Sequence, residues 1–492
     1  MQMSTEGGAA RSVVERVWEV DVLPALADYT RIHCLSPAFD PDWDRRGEIR
    51  RAARLLRDWC SSRPVQGLTA EVVEIPGRTP LLVVEAPATD GGQAGVLVYG
   101  HLDKQPPQGE WRAGLGPFEP VRDGELLYGR GTADDGYAVF AAVTALEALE
   151  STGATHPRVT VLVEASEESG SPDLAAHLNG LAGRIGQPDL VICLDSGCLT
   201  YDRLWLTTSL RGNLVATVRV DVLSEGVHSG LAGGVVPSSF RVLRQLLSRI
   251  EDERTGEIRL PELRARVPRS HRRSLSAVAA ELPDSVTGGI PTAGGLELAG
   301  RTPADRLIAK AWAPALAVTG IDGIPAVRDG GNVLRPFTTA KISVRLPPTC
   351  DAAAAAAALR SALTSDPPQG AQVSVGTETP ADGWVAPEPS PWLAAAVEQA
   401  SRAAFGRAPS AYGEGGTIPF LATLGARFPG VQLVATGVLG PHSNAHGPNE
   451  FLHVPMAMGV TTAVARLIAA AGEAGPVRSP VSAPDGGPET KG

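Results

Sequence analysis

The stretch "QAGVLVYGHLDKQ", residues 93–105, decides how the chain is read. Its apolar run is what a buried strand looks like. It stops on His101, one residue, then Asp103. Side chains alternate along an extended chain, so an imidazole and a carboxylate two residues apart share a face. A lone His-x-Asp carries little weight, and its meaning depends on partners elsewhere in the chain.

Working outward, the apolar spacing predicts a helix over 11–30, with Val13, Val14, Val17, Trp18 and Val22 on one face, and a second over 47–63. Strands follow at "TAEVVEIP" (69–76) and "TPLLVVEAP" (79–87), then a helix at "GYAVFAAVTALEALEST" (136–152) and strands at "RVTVLVEA" (158–165) and "PDLVICLD" (188–195). Buried strands alternating with helices predict an α/β sheet covered on both faces. In such sheets ligands gather at the carboxyl ends of strands. After residue 208 the pattern changes. "GNLVATVRVDVL" (212–223) alternates with period two, and helices at 237–250 and 350–365 interleave with strands at 338–348 and 372–378, as in an α+β module. The helix pattern resumes at "SPWLAAAVEQASRAAFG" (390–406), followed by a strand in "VQLVATGVLG" (431–440). The expected division is a discontinuous α/β domain, 1–208 and 383–474, interrupted by an α+β domain at 209–382. The Pro/Gly/Ser-rich 475–492 reads as a disordered tail.

Bulk properties narrow the function. Across 492 residues, 44 Lys+Arg stand against 54 Asp+Glu, a formal charge of −10, which argues against nucleic acid or an anionic membrane as partner. No run reaches the ~18 consecutive apolar residues of a membrane span, and the first twenty residues lack the apolar centre of a secretory signal. Five cysteines without zinc-knuckle spacing fit reduced thiols and a cytoplasmic protein.

Four expected strand ends or helix starts carry acids or imidazoles: His101 and Asp103; Asp134 and Asp135 in "GRGTADDG"; Glu167 and Glu168 in "EASEESG"; and Asp195 in "CLDSG". His442 and His446 lie in "PHSNAHGPNE". Singly, each has an ordinary explanation: Asp-Asp before a helix is a cap, and Glu-Glu in a loop is solvated. Jointly they bring like charges together, which a cation must compensate. Imidazoles with several carboxylates suit zinc, with manganese or cobalt as substitutes.

In this order the segments "YGHLDKQP", "WRAGLGPFEPVRDGELLYGRGTADDG", "EASEESGSPDL", "CLDSG", "SLRGN", "GVHSGLAGG", "GEGGTIP" and "HGPNE" resemble the dinuclear zinc dipeptidase and deacylase family, from about residue 20 to 470. Cytosolic nonspecific dipeptidases, carnosinases, succinyl-diaminopimelate desuccinylase and acetylornithine deacetylase belong to it. The resemblance implies a zinc-exopeptidase-like catalytic domain with an inserted lid and dimerisation domain, two divalent ions per chain, and a homodimer. It implies that His101, Asp134 and Asp195 hold one ion and that Asp134, Glu168 and His446 hold the other, with His442 as the alternative to His446. By the same resemblance Asp103 orients His101, Glu167 is the general base and acid, and His228 is an oxyanion donor reaching the partner subunit's site. Arg345, with Asn332, grips a substrate carboxylate, while Glu414, Gly415, Gly416 and Thr417 line the pocket for the other end. The Asp134–Asp135 peptide is expected to be cis. One departure stands out: Gly136 occupies the position where the dipeptidase motif carries lysine. The implied activity is hydrolysis of dipeptides or small peptides, with N-acyl-amino-acid hydrolysis as the alternative.

Overall fold

The computed structural model describes residues 2–476 apart from 90, 288, 289 and 291; the tail expected at 475–492 falls, beyond 476, outside the described residues. The stretch around Val98 is a strand, Gly95–His101, buried at every position. It lies inside a six-stranded sheet ordered Thr69–Val73, Leu81–Ala86, Arg158–Glu164, Gly95–His101, Leu190–Cys193, Gln432–Ala435. The last four strands run parallel to one another, while the first two pair antiparallel. Alternation sends Val96 and Val98 into one core and Leu97 and Tyr99 into another on the opposite face. That explains why the strand sequence is apolar throughout rather than at every second residue.

The first core is closed by helices from both ends of the chain. Helix Tyr137–Ser151 is buried from Tyr137 through Leu149, so it has no polar face at all. Helix Val454–Ala474 lies against it. This helix has the length and apolarity of a membrane span, yet it is mostly buried inside the protein. The expected N-terminal helix begins earlier, at Gln2, and is interrupted by a π-helical turn at Trp18–Val22 before continuing as Leu23–Thr30. Pro24 has no N–H to give the preceding turn, which accounts for the widening there.

Between residues 212 and 377 an antiparallel four-stranded sheet, ordered Ala315–Asp322, Phe337–Leu346, Gly212–Asp221, Gln372–Thr377, carries helices Ser239–Ile250 and Ala352–Thr364 on one face. Its inward residues Leu214, Ala216, Val218 and Val220 alternate with more exposed neighbours, as the period-two pattern requires. Helices Arg269–Glu281 and Pro303–Trp312 depart from this module. Their Leu275, Val278, Leu307 and Trp312 belong to the first core.

Below the end of strand Gly95–His101, Lys104 is fully buried. Its ammonium donates to the carbonyls of Tyr29, Thr30 and Ile32 at 3.0, 3.1 and 2.9 Å, satisfying the open end of helix Leu23–Thr30 with all three N–H groups. Tyr29 in turn donates its hydroxyl to the Leu102 carbonyl at 2.8 Å. The Tyr29 ring also explains Gly136: a Cβ at that position would collide with the ring and with the Gly131 carbonyl. Gly136→Ala is therefore expected to destabilise the protein by about 1–3 kcal/mol through overpacking. Chemical denaturation at equal concentration checks this, and wild-type stability would mean that Tyr29 yields freely.

Candidate metal centre

The carboxyl ends of the parallel strands converge. His101 ends its strand, and Asp195 stands two residues beyond Leu190–Cys193. Glu167 and Glu168 form a 3₁₀ turn just past Arg158–Glu164. Asp134 lies in the loop before helix Tyr137–Ser151, and its peptide to Asp135 is cis. His446 comes from the loop between Gln432–Ala435 and Phe451–His453, with φ +65°, left-handed for a non-glycine residue.

Two donor groups result, His101–Asp134–Asp195 and Asp134–Glu168–His446, each with ligand atoms within 4.8 Å of one another and sharing Asp134. His101 Nε2 lies 3.2 Å from Asp134 Oδ1 and 3.8 Å from Asp195 Oδ1. His446 Nε2 lies 3.0 Å from Asp134 Oδ2 and 3.3 Å from Glu168 Oε1. Asp134 thus presents one oxygen to each imidazole. His442 enters neither group. The donor set, two imidazoles and three carboxylates of which Asp134 is shared, fits a pair of divalent cations.

Supporting bonds fix these side chains. His101 Nδ1 is 3.1 Å from the Asp103 backbone carbonyl and 3.5 Å from its carboxylate, which leaves Nε2 toward the donor cluster. The Asp103 carboxylate accepts the N–H groups of Glu167 and Glu168 at 3.1 and 3.0 Å, so it holds the turn that carries them. Gln105 donates to Glu168 Oε2 at 2.7 Å. Glu164 buttresses the same turn, accepting Tyr99 Oη at 2.5 Å and Ser171 Oγ at 2.8 Å. Burial pushes its carboxyl up to about 7.

Burial, reinforced by Asp195, pushes half-buried Glu167 well above the usual carboxylate range. Burial also raises Asp195, with the like charges of Asp135 and Asp134 adding. Burial disfavours the charge on Asp134 as well, but hydrogen bonds from His101 and His446 outweigh it and hold that carboxyl far below its ordinary value. For the imidazoles burial works downward, yet the facing carboxylates win. His101 sits well above its usual value, and His446 is raised to about 11 by Asp134 and Glu168.

The residues expected at the substrate divide into two places. Arg345 donates to Thr417 Oγ1 at 3.1 Å, and Thr417 donates to the Arg211 carbonyl at 2.5 Å. Arg211 holds the Gly415 and Ala313 carbonyls at 3.2 and 3.1 Å. Burial, then the nearby Arg345 charge, lowers Arg211 to about 10, and burial lowers Arg345 as well. Among the described residues no carboxylate pairs with either arginine. Glu414 Oε1 accepts from Gly197 N, Ser196 Oγ, Thr207 Oγ1 and Tyr412 Oη at 2.7–3.1 Å, bracing the loop after Asp195. Gly416 is exposed beside it. His228 lies on a two-stranded ribbon opposite Val333, and just before that strand the Asn332 carbonyl accepts the Ser229 N–H at 2.9 Å. Neither bonds to Arg345 or to the donor cluster within the chain. The sequence reading gave no role to Arg211, Gln105, Glu414's bracing bonds, or the buried Arg130–Glu450 pair, although each sits in a segment quoted for the resemblance.

Because the facing carboxylates favour the charged form of both imidazoles, a cation entering the site competes with protons. Metal addition to apoprotein at pH 7 is expected to release protons, and affinity is expected to tighten as pH rises from neutrality. Calorimetry in buffers of different ionisation enthalpy checks the first point. Asp134→Ala should lose binding at both positions, while His446→Ala should weaken one, as read by metal content; two ions retained at normal affinity in Asp134→Ala would exclude this site.

Comparison with known proteins agrees with the geometry. The model of peptidase family M20/M25/M40 matches residues 97–470. A cysteinylglycine-S-conjugate dipeptidase from Corynebacterium striatum is 29% identical over 375 residues, covering 74% of this chain and 79% of that protein. Among solved structures, the dipeptidase Dug1p of Saccharomyces cerevisiae superposes with TM-score 0.78 at 20% identity, covering 95% of this chain and 98% of that one. Human carnosine dipeptidase 1 does so with TM-score 0.77 at 20% identity, covering 95% and 99%. The family match spans most of the chain and every segment that supplies a donor, and the chain belongs to peptidase family M20/M25/M40.

Proposed function

We propose that this protein is a cytoplasmic, homodimeric dipeptidase that holds two zinc ions per chain, with manganese or cobalt as functional substitutes. The observation that carries this reading is the pair of donor groups sharing Asp134, with the Glu167 carboxyl beside them. The dipeptidase names of the relatives support the substrate class. His101, Asp134 and Asp195 hold one ion and Asp134, Glu168 and His446 the other. When bound, the ions supply Lewis acidity toward a water and the scissile carbonyl. Glu167 takes the proton from the attacking water and passes it to the leaving amine, a role suited to a carboxyl raised by its surroundings. Arg345 and Arg211, charged and without carboxylate partners among the described residues, receive the free carboxylate of the substrate.

His228 supplies the oxyanion donor from the partner subunit. Its Nδ1 accepts the Gly230 N–H at 3.1 Å, which assigns the proton of the neutral ring to Nε2 and makes that atom a donor. The histidine is exposed within its own chain, and near it in sequence Leu231 and Val235 are 81% and 84% exposed. Apolar exposure of that extent fits a surface covered by a second copy. All five cysteines are unpaired and buried, in keeping with a reducing compartment.

Glu167→Ala should retain metal and lower kcat by about 10²–10⁴-fold, as measured on a panel of dipeptides; turnover of N-acyl amino acids alone would favour the deacylase reading. Exchange between His228→Ala and Glu167→Ala dimers should restore activity, up to about half the wild-type level per heterodimer, because one site regains both groups. A mixture that stays inactive after verified exchange would show that His228 serves its own chain.

A further inference from the structure

We propose that the buried Arg130–Glu450 ion pair is a positioning clamp that locks the Asp134 loop and the His446 loop together as one ligand platform. The two side chains are 1% and 0% exposed, and Arg130 Nη1 lies 2.6 Å from Glu450 Oε2. The other oxygen, Oε1, accepts the N–H groups of Gly131, Ala133 and Asp134 at 3.0, 3.3 and 3.3 Å. One carboxylate thus gathers the backbone leading into the shared ligand. Arg130 reaches the opposite way. Its Nη2 donates to the Gly447 carbonyl at 2.8 Å, next to His446, and to the Pro106 carbonyl at 3.3 Å, next to the Gln105 that holds Glu168. Arg130 Nε is buried without a partner.

Strand pairing puts the two loops within reach. Phe451 pairs with Tyr128, and Gly129 N–H bonds to the Glu450 carbonyl at 3.0 Å. Stability alone is a weak reason to keep such a pair, because apolar side chains of similar volume replace buried ion pairs at little cost. What apolar groups cannot do is collect three amides on one side and two carbonyls on the other. The pair bonds to none of the donor side chains; it acts through the backbone beside Asp134, His446 and Gln105, and so it is positioning machinery.

The clamp rests on the two-ion reading above. Its test is competition between apoprotein and a chelator for Zn2+ alone. Arg130→Lys keeps the charge against Glu450 but loses the fork to Gly447 and Pro106; it should weaken the position that uses His446 and Glu168 by about 10–100-fold and leave the other unchanged. Glu450→Gln should weaken both, because both use Asp134. The double variant Arg130→Met/Glu450→Met should regain folding stability without regaining zinc affinity. Wild-type zinc affinity in whichever of these variants folds overturns the clamp, including when its thermal midpoint has dropped, since that is the signature of a structural role alone. Failure of the wild-type chain to bind zinc overturns the two-ion reading instead.

Discussion

Mutual repulsion among the carboxylates of Asp134, Asp195, Glu167 and Glu168 is the constraint that the rest of the molecule is arranged to contain. Two unit charges ~4 Å apart repel by about 4 kcal/mol at an effective dielectric of 20, and this site gathers several carboxyl groups at one edge of the sheet. The imidazoles oppose that repulsion, and two further devices hold the segments that bear the carboxylates. His101 and His446 face Asp134, and the carboxylates around them favour the charged form of each ring. Backbone amides of the Glu167 turn and of the Asp134 loop are spent on Asp103 and Glu450. Lys104, just past the strand end, ties that segment to the last carbonyls of helix Leu23–Thr30. A bound cation then replaces protons rather than filling neutral space.

The six-stranded sheet serves that end. Parallel strands deliver His101, the Glu167–Glu168 turn and Asp195 at one edge, and the antiparallel pairing of Phe451–His453 with Leu126–Tyr128 brings the Glu450 and Asp134 segments side by side. The arginine pair at 211 and 345 adjoins this edge through the Glu414 bonds to Ser196 and Gly197. Charge therefore has opposite sign at the two places: carboxylates crowd the donor cluster, and the two arginines stand without a carboxylate partner among the described residues.

Much of this was legible in residue order. The strand that stops on His101, the period-two run at 212–223 and the acids at strand ends all follow from local periodicity, which an isolated sequence displays. What escaped depends on contacts that no local pattern records. Arg130 and Glu450 are 320 residues apart, and Arg211 gains its meaning only from Arg345 and the loop at 415–417. Helix Val454–Ala474 escaped for a different reason: it is apolar on nearly every side, so it shows no stripe of period 3.6. Helices Arg269–Glu281 and Pro303–Trp312 look like part of the inserted module by position, but their apolar residues pack into the first core.

The interleaving of the two units bears on how the chain is made. The core around Leu214–Val375 is complete within a contiguous stretch and can assemble as soon as that stretch leaves the ribosome. The first core runs from Val14 to Ala471, and Trp18 Nε1 bonds to Thr461 Oγ1 at 3.0 Å across 443 residues. Its closure waits for the final helix, at the high cost in rate that long-range contacts impose. During synthesis the older amino-terminal helix stands with its apolar face open while the younger middle module is already folded. A chain that stops short of residue 454 leaves that face without its cover, a natural target for chaperones and proteases.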